Sequence, residues 1–380
     1  MSRNIHLKGV NGIRAIAAMA VVVFHIAAGL KDFGFGFSRN IDLGPFGVTI
    51  FFSLSGFLIT YLLLVEKKRF DRINIKAFYV RRILRIWPLY YFYLLLAVIT
   101  IYIFKTDKLP DGIFYYIVLC ANAPFIFQFP LSLLNHYWSL GVEEQFYIFW
   151  PWIVSRSKSL FRFLVIFIII FVVIKLMLRY LDATSSYHWP YAFIHVTRFD
   201  CMAIGAVGAV LFFQKNVFFL KICYSIIAQL AAWGSLVVLA LSKFHIASVI
   251  DSDIIAVVTV ILIVNVSTNP GSIVKLENLF FDFLGKISYG IYVYHPLVIF
   301  FAAKLIKEVF SDSNDVIRLI FVFSFIIGAT VLVAYLSYEF LEKRFLSMKP
   351  KFSPVKSVDT MTDSDQPVPS LQIAEQKTGS

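Results

Sequence analysis

The stretch NGIRAIAAMAVVVFH, residues 11–25, decides how this chain folds. It is apolar enough to lie inside a membrane, yet it carries Arg14 near one end and His25 near the other. The helix between them makes three full turns plus about 20° and rises roughly 16 Å, so both side chains share one face. Because ionisable residues inside a span are costly and typically functional, the pair predicts an inward-facing polar track.

The whole chain has the composition of a polytopic membrane protein. Of its 380 residues, 59% are hydrophobic and 15% are charged, whereas roughly a quarter of the residues in a soluble domain are charged. Long apolar runs recur throughout and predict an all-α fold, since helices satisfy their own backbone hydrogen bonds in lipid. We predict ten transmembrane helices, at about 11–30, 46–65, 83–104, 139–155, 160–178, 198–213, 222–241, 252–267, 288–306 and 317–340.

The net charge of +12 would suit a nucleic-acid-binding protein, but the distribution of the basic residues argues against nucleic acid as a partner. Lys and Arg cluster in short loops beside the apolar runs, as the positive-inside rule describes. With the N-terminus inside, the inner segments hold 22 basic residues and the outer segments hold 9. We therefore predict a multi-pass protein of the cell membrane, with the lipid bilayer as its partner and both termini in the cytoplasm.

Two stretches depart from the pattern of apolar spans. Residues 112–134 carry no charge and could cross the membrane, but they contain polar and helix-breaking residues such as Asn122 and Pro124. We therefore predict a re-entrant or interfacial segment there. Residues 350–380 are rich in Ser, Thr, Pro, Asp and Gln, which predicts a disordered cytoplasmic tail after a transmembrane domain of residues 1–349.

The first candidate site is the face that Arg14 and His25 share. A neutral imidazole can accept a proton from a hydroxyl near neutral pH, which makes His25 a candidate general base. The structural alternative is a histidine that bonds a neighbouring helix and an arginine that extends to the lipid headgroups. The depth of His25 in the span favours a function for it, whereas for Arg14 the two interpretations weigh equally.

The second candidate is RRILRIWP, residues 81–88, at the start of the third span. Arg82 and Arg85 lie one turn apart on one helical face. Paired guanidinium groups suit phosphates, which they bind through two parallel hydrogen bonds. The alternative is an anchor on anionic lipid, which explains the neighbouring lysines better than it explains arginines inside the span.

The third candidate is HYWSLGVEEQFYIFWP, residues 136–151, where Glu143 and Glu144 open an apolar helix. One glutamate could orient an imidazole or bind sugar hydroxyls, and Tyr147 shares a helical face with each of them at a different spacing. The structural alternative is a capping role of Ser139 with either glutamate. The sequence does not choose between the two glutamates.

Two further motifs favour a structural interpretation. In TRFDCMAIG, Arg198 and Asp200 stand at the outer start of the predicted sixth span, where an ion pair to another helix is the commoner role. In FFSLSGFLIT, the small residues Ser53, Ser55 and Gly56 predict a close contact between helices first and the lining of a pocket second.

The last candidate is GKISYGIYVYHP, residues 285–296. Ser288, Tyr292 and His295 follow one another at helical spacing and form one polar stripe on the predicted ninth span. Polar contacts between helices and the wall of a pocket are equally good interpretations of this stripe.

Taken together in chain order, these motifs resemble acyltransferase family 3. They are Arg14 and His25 in the first helix, then FFSLSGFLIT, RRILRIWP, WSLGVEEQFY, RFDCMAIGA and GKISYGIYVYH. The family includes bacterial membrane enzymes that O-acetylate O-antigen, exopolysaccharide, peptidoglycan and Nod factors. The resemblance covers about residues 8–345, and the combination of motifs is far more specific than any single one.

The resemblance implies site residues, which are carried over by position. It implies catalytic roles for His25 with Glu143 or Glu144, and donor binding by Arg14, Arg82 and Arg85. It also implies an acyl donor, usually acetyl-CoA from the cytoplasmic side, and a saccharide acceptor. Neither a permanently bound cofactor nor a metal is implied, and the location is the bacterial inner membrane.

This sequence departs from the family at one motif. Members tend to end in Glu-x-Pro-Phe, whereas Glu342 is followed here by Lys-Arg-Phe, so the role of Glu342 is open. Some relatives carry an additional extracytoplasmic esterase-like domain. Residues 350–380 are too few to encode one, so we expect the stand-alone type.

The expected reaction is attack of a sugar hydroxyl on a thioester, with His25 as the base and a glutamate that fixes its tautomer. A covalent acyl-enzyme is the alternative to direct transfer. Ser288 and Tyr292 are the candidate oxyanion donors.

A transporter or flippase for a lipid-linked saccharide is the alternative function. The polar residues expected to contact the substrate are Tyr147, Arg198, Asp200, Ser288, Tyr292 and His295.

Overall fold

The structure, a computed structural model, describes residues 7–38, 43–107, 112–184, 188–241, 244–246, 249–309 and 315–352. The described residues form helices and contain no strand, so the predicted all-α fold class is confirmed. The α-helices are α1 Val10–Ala28, α2 Leu43–Phe70, α3 Ile75–Phe104, α4 Ile113–Ile117, α5 Asn122–Ile126, α6 Trp138–Arg156, α7 Leu160–Thr184, α8 Trp189–Thr197, α9 Phe199–Phe213, α10 Val217–Tyr224, α11 Ile226–Ala240, α12 Asp251–Thr268, α13 Leu279–Lys286, α14 Ser288–Val309, α15 Asp315–Ser337 and α16 Lys343–Leu346. Short 3₁₀ turns cover Leu30–Phe33, Ser132–Tyr137 and Lys349–Phe352, and one π-helical turn covers Tyr338–Glu342.

Eight stretches of the described chain are long and apolar enough to cross a membrane, and a ninth is added if the bent pair α10–α11 counts as one span. The predicted count of ten is therefore not confirmed. The difference lies in α6, which is helical as predicted but is not among these apolar stretches. Its first half carries Glu143, Glu144 and Gln145 in one run, and this run lowers the mean hydropathy of the helix below that of the eight stretches.

The predicted sixth span begins earlier in the structure than in the sequence analysis. Helices α8 and α9 together form one apolar stretch, Trp189–Phe213. Arg198 lies at the break between them, with a left-handed backbone at φ 43°, and not at an outer end. A positive φ at a residue other than glycine is uncommon, so Arg198 interrupts the regular helix within one apolar stretch.

Residues 112–137 contain two helices of five residues each and one 3₁₀ turn. None of these is long enough to cross a bilayer, in agreement with the predicted re-entrant or interfacial segment. The predicted tail, 350–380, lies outside the described residues from 353 onward.

The tightest packing in the bundle joins α2 to α9. A Cβ atom added at Gly56 would meet the Met202 carbonyl oxygen at 1.9 Å, and one added at Gly205 would meet the Ser53 carbonyl oxygen at 2.0 Å. Only glycine allows two helix backbones to approach this closely. The predicted helix contact at Gly56 is thus confirmed, while the Ser53 hydroxyl donates a hydrogen bond to the Ala256 carbonyl of α12 at 2.9 Å.

Helix α1 packs against α2, α12, α13 and α14, so its polar face is enclosed by the bundle. A lysine of α2 holds the C-terminal end of α6. The Lys67 ammonium donates hydrogen bonds to the α6 carbonyl oxygens of Val154 and Ser155 at 3.1 and 2.8 Å. A lysine that bonds the last carbonyl oxygens of a helix stabilises its C-terminal end. These contacts bring the polar segments of α1, α2, α3, α6 and α14 to one region.

Candidate active site

A cavity of about 700 Å³, including its open mouth, lies between α1, α2, α3, α6 and α14. We call it the arginine cavity. The predicted site residues that line it are Arg14, Arg82, Arg85, Glu143, Tyr147, Ser288 and Tyr292. Five separate sequence motifs therefore meet at one cavity.

The positive side of the arginine cavity comes from α1 and α3. Helix α3 begins after Asn74, whose side chain accepts a hydrogen bond from the Ala77 backbone at 2.9 Å. Two turns later, the Arg82 guanidinium lies 5.3 Å from the centre of the Tyr147 ring. The adjacent Arg81 turns away and pairs with the Glu66 carboxylate at 3.0 Å. This divergence leaves Arg82 and Arg85 on the cavity side of α3, where two guanidinium groups suit a phosphate.

Glu143 is held by hydrogen bonds on both of its oxygens. Its Oε1 accepts from the Ser55 hydroxyl at 3.2 Å, and its Oε2 accepts from the Tyr147 hydroxyl at 2.9 Å. The predicted common face of Glu143 and Tyr147 is therefore confirmed. Ser55 belongs to α2, so the FFSLSGFLIT motif lines the cavity as well as packing the bundle.

Glu144 points elsewhere. Its Oε2 accepts from the Trp87 indole N–H at 3.2 Å, and in the described part of the chain its buried Oε1 has no hydrogen-bond partner. Glu144 does not line the arginine cavity. The geometry thus separates two adjacent glutamates that the sequence could not tell apart.

His25 faces the bundle interior and contacts α14. Its Nδ1 lies 2.9 Å from the Val21 carbonyl oxygen and 3.1 Å from Nε2 of His295. The prediction that a glutamate fixes the His25 tautomer is wrong for this structure, because the Val21 carbonyl and His295 occupy that side of the ring. His25 does not line the arginine cavity, although Arg14 on the same helix does.

His295 and His136 complete a group of three imidazoles, which we call the histidine cluster together with His25. The ring centres of His25 and His295 are 4.7 Å apart, and those of His136 and His295 are 5.2 Å apart. His295 is fully buried, and its Nδ1 lies 2.7 Å from the Tyr292 carbonyl oxygen. The expectation that His295 contacts the substrate is therefore not supported by its position.

His136 is the functional candidate that the sequence analysis missed. It is 3% exposed, and its Nε2 lies 3.1 Å from the Val293 carbonyl oxygen. His136 lies outside the candidate spans, and burial, with His25 close by, lowers its pKa to about 3. The ring is therefore neutral at physiological pH. The sequence offered one indication of a role for His136, namely its position at the start of the HYWSL motif. Its contact with His295 could not be predicted, because the two residues are far apart in the chain.

Tyr292 joins the arginine cavity to the histidine cluster. Its ring lines the cavity, its hydroxyl donates to the His136 carbonyl oxygen at 2.9 Å, and its own carbonyl contacts His295. The Ser139 hydroxyl lies 2.5 Å from the Tyr292 hydroxyl, so Ser139 does not cap α6 as the structural alternative supposed. The Ser288 hydroxyl donates to the Gly285 carbonyl oxygen at 2.8 Å. Both candidate oxyanion donors thus already donate to carbonyl oxygens.

Arg198 and Asp200 lie outside the arginine cavity, contrary to the expectation that they contact the substrate. Arg198 donates to the Pro45 carbonyl oxygen at 3.0 Å and to the Thr49 hydroxyl at 2.9 Å. Asp200 forms an ion pair with Lys175 of α7, and the same ammonium lies 2.9 Å from the Asp253 carboxylate of α12. We call Lys175, Asp200 and Asp253 the ion-pair cluster, and its contacts fit the structural alternative.

The ion-pair cluster also contains the only candidate metal ligands among the residues described. Ligand atoms of Asp200, Cys201 and Asp253 lie within 4.8 Å of one another. The Lys175 ammonium already places a positive charge against both carboxylates. The arrangement therefore fits a lysine better than a metal ion.

Comparison with known proteins points to one family. A family model described as an acyltransferase domain matches residues 7–339. A protein of Staphylococcus aureus strain COL, named as a candidate O-acetyltransferase, is 27% identical over 379 residues, with 92% of this chain and 60% of that protein covered. The O-acetyltransferase OatA of S. aureus strain NCTC 8325 is 25% identical over 371 residues, with 89% of this chain and 57% of OatA covered. This chain thus spans about 60% of the length of these relatives, and no solved structure matches it.

Proposed function

Because the chain belongs to acyltransferase family 3, we propose that it is a membrane O-acyltransferase that moves an acyl group, in the first instance acetyl, from acyl-CoA to a saccharide hydroxyl. The observation that carries the proposal is the arginine cavity. Three arginines from two helices line it together with a hydrogen-bonded glutamate. This arrangement suits an anionic substrate that also presents hydroxyl groups.

The donor end of the site is the arginine end. Coenzyme A carries several phosphate charges, and Arg82 and Arg85 can each bind a phosphate through a planar fork of donors. Arg14 adds a third positive charge from α1. Since acyl-CoA is made in the cytoplasm, this end faces the cytoplasm in the proposed topology, with both termini inside and the chain in the bacterial inner membrane.

The acceptor end lies along α1 toward His25. Arg14 and His25 are separated by a rise of roughly 16 Å, which the long pantetheine arm of CoA has to cover. Glu143, fixed by Ser55 and Tyr147, offers its carboxylate to a sugar hydroxyl. A saccharide such as O-antigen, an exopolysaccharide or a lipid-linked glycan supplies that hydroxyl.

The proposed step is direct transfer. The Nε2 atom of His25 takes the proton of the sugar hydroxyl while the oxygen bonds to the thioester carbonyl carbon. The carbon–sulfur bond then breaks, and the leaving thiolate takes the proton from the imidazolium to give free CoA. The products are an O-acyl sugar and a thiol, and His25 returns to its neutral form.

The test compares wild-type protein with His25→Ala, both purified in lipid nanodiscs and supplied with [¹⁴C]acetyl-CoA and membrane glycan from the producing cell. We expect CoA release and labelled glycan from the wild type, and a loss of about 10²–10⁴-fold in the variant, which is the usual contribution of a general base. In cells, ester content of the surface glycan, measured by mass spectrometry, should fall in the variant at equal expression.

Two outcomes would contradict the proposal. If the surface glycan of cells that express His25→Ala keeps its full ester content, His25 is not the general base. Wild-type protein that neither hydrolyses nor transfers acetyl-CoA, but moves a lipid-linked saccharide across vesicles, would show a transporter instead of an enzyme.

A further inference from the structure

A proline in α14 fixes the tautomer of His295. Pro296 has no N–H group, so the Tyr292 carbonyl four residues earlier loses its helical donor. The His295 Nδ1 atom lies 2.7 Å from that carbonyl oxygen and takes the place of the missing donor. Because a carbonyl oxygen can only accept, Nδ1 must carry the proton, and Nε2 of His295 must carry the lone pair.

The same argument fixes His25. Its Nδ1 lies 2.9 Å from the Val21 carbonyl oxygen, so this nitrogen also carries the proton. The lone pair of His25 is then on Nε2, the atom that the proposed reaction needs as a base. The same Nδ1–H is shared with the His295 lone pair, since Nδ1 of His25 and Nε2 of His295 are 3.1 Å apart.

We propose that His295 is the positioning residue of this acyltransferase, with its Nε2 accepting the Nδ1 proton of His25. The inference rests on the proposed function and assigns to a neutral imidazole the part that a carboxylate plays in a serine hydrolase triad. His295 holds the His25 ring with Nε2 available. When Nε2 takes the hydroxyl proton, the positive charge of the imidazolium is shared through the Nδ1–H···Nε2 bond until the thiolate removes that proton.

The surroundings explain why a histidine serves here in place of a carboxylate. His295 is fully buried, and an ionised carboxylate at this position would need a permanent cationic partner. His136 contacts the His295 ring, and its Nε2–H bonds the Val293 carbonyl oxygen. The histidine cluster is thus neutral at rest and needs to hold only one positive charge, during the reaction.

His136 adds a second neutral acceptor to the histidine cluster. Its Nδ1 is buried and has no hydrogen-bond partner among the described residues. Because Nε2 carries the proton, this Nδ1 carries a lone pair, which stabilises a positive charge nearby. The imidazolium that the reaction would create on His25 therefore contacts the lone pair of His295, and the His136 ring packs behind His295.

Two amide variants separate positioning from a merely structural role. In His295→Gln, the terminal amide takes the place of Nε2 and can accept from His25, but the bond to the Tyr292 carbonyl is lost. In His295→Asn, the shorter amide takes the place of Nδ1 and keeps the bond to Tyr292, but His25 loses its acceptor on α14 and keeps only the Val21 carbonyl oxygen. The two substitutions are similar in polarity and differ in which hydrogen bond survives.

We expect His295→Asn to lower kcat by about 10²-fold with the KM for acetyl-CoA unchanged, and His295→Gln to stay within about 10-fold of the wild type. A structural role would give the opposite order, because Asn preserves the α14 contact. Equal activity of the two variants, or a more active Asn variant, would overturn the positioning role. If the wild type itself has no transfer activity, the proposed function fails, which is a different result.

A second measurement does not depend on activity or on the folding of a variant. Wild-type protein labelled with ¹⁵N-histidine should show scalar coupling across the hydrogen bond between His25 Nδ1 and His295 Nε2. His25→Gln, which removes one partner, assigns the signal by its loss. Absence of this coupling in the wild type would overturn the proposal even if every variant proved unstable.

Discussion

The arginine cavity and the ion-pair cluster are two polar regions inside the same apolar bundle, and they differ in whether an external molecule can reach their charges. In the ion-pair cluster, the Lys175 ammonium contacts the carboxylates of Asp200 and Asp253, and the side chains of Lys175 and Asp200 are at most 2% exposed. In the arginine cavity, Arg14, Arg82 and Arg85 line an open space together with the hydrogen-bonded carboxylate of Glu143.

The difference teaches how to separate a structural cluster from a binding site in a membrane protein. A buried charge that touches its counter-charge is satisfied within the fold, and it serves packing and specificity. Arginine side chains that line an open cavity can contact an anion that enters from outside. The sequence showed both regions as charged residues near apolar spans, and only the contacts distinguish them.

The largest effect should come from breaking the ion-pair cluster. Lys175→Met leaves Asp200 and Asp253 buried together without their cation, which typically costs about 3–5 kcal/mol of folding free energy. We expect a lower midpoint of unfolding in detergent and poor accumulation in the membrane. Both losses follow from stability and not from substrate binding.

A matched control neutralises the whole cluster. Lys175→Met combined with Asp200→Asn and Asp253→Asn removes all three charges, so most of the lost stability should return. Recovery of acyl transfer in the triple variant would confirm that the cluster is structural. A stable Lys175→Met protein, or a stable but inactive triple variant, would contradict the comparison.

The next effect separates the adjacent glutamates of α6. Among the described residues, Glu143 is the only carboxylate that lines the arginine cavity, and we expect Glu143→Gln to lose activity by about 10²-fold. Glu144→Gln is the matched control, since it keeps an acceptor for the Trp87 indole and lies outside the cavity. We expect it to stay near wild-type activity in the same acetyl-CoA assay. If Glu144→Gln lost more activity than Glu143→Gln, the placement of the active site in the arginine cavity would be contradicted.

Much of the candidate site was predictable because chemistry and spacing act locally. Arg82 and Arg85 lie one turn apart, and Glu143 with Tyr147 lies on one helical face, so the helix period alone grouped them. The resemblance grouped Arg14, Arg82 and Arg85 with one of the two glutamates, whereas the meeting of five motifs at one cavity could not be read from any distance in the sequence. The choice of Glu143 over Glu144 depends on Ser55 of another helix, which no spacing within α6 reveals.

The parts that sequence analysis missed depend on contacts between distant elements. His136 joins the histidine cluster through His295, and the two residues are far apart in the chain. Arg198 was expected at the outer end of a span, but the left-handed turn at this residue lies inside one. Hydropathy reports where apolar runs lie and says nothing about an interruption of the helix within a run. The predicted count of spans is not confirmed because of α6, whose first half carries Glu143, Glu144 and Gln145.

The smallest expected effect comes from replacing one arginine of the arginine cavity. Arg85→Lys keeps a positive charge but loses the planar fork, so we expect the KM for acetyl-CoA to rise about 10-fold with kcat unchanged. Arg81→Lys is the matched control one turn away, because Arg81 bonds the Glu66 carboxylate and the Phe352 carbonyl oxygen outside the cavity. Its KM should not change. Equal affinity of wild type and Arg85→Lys for acetyl-CoA would contradict the proposed contact between Arg85 and a phosphate of coenzyme A.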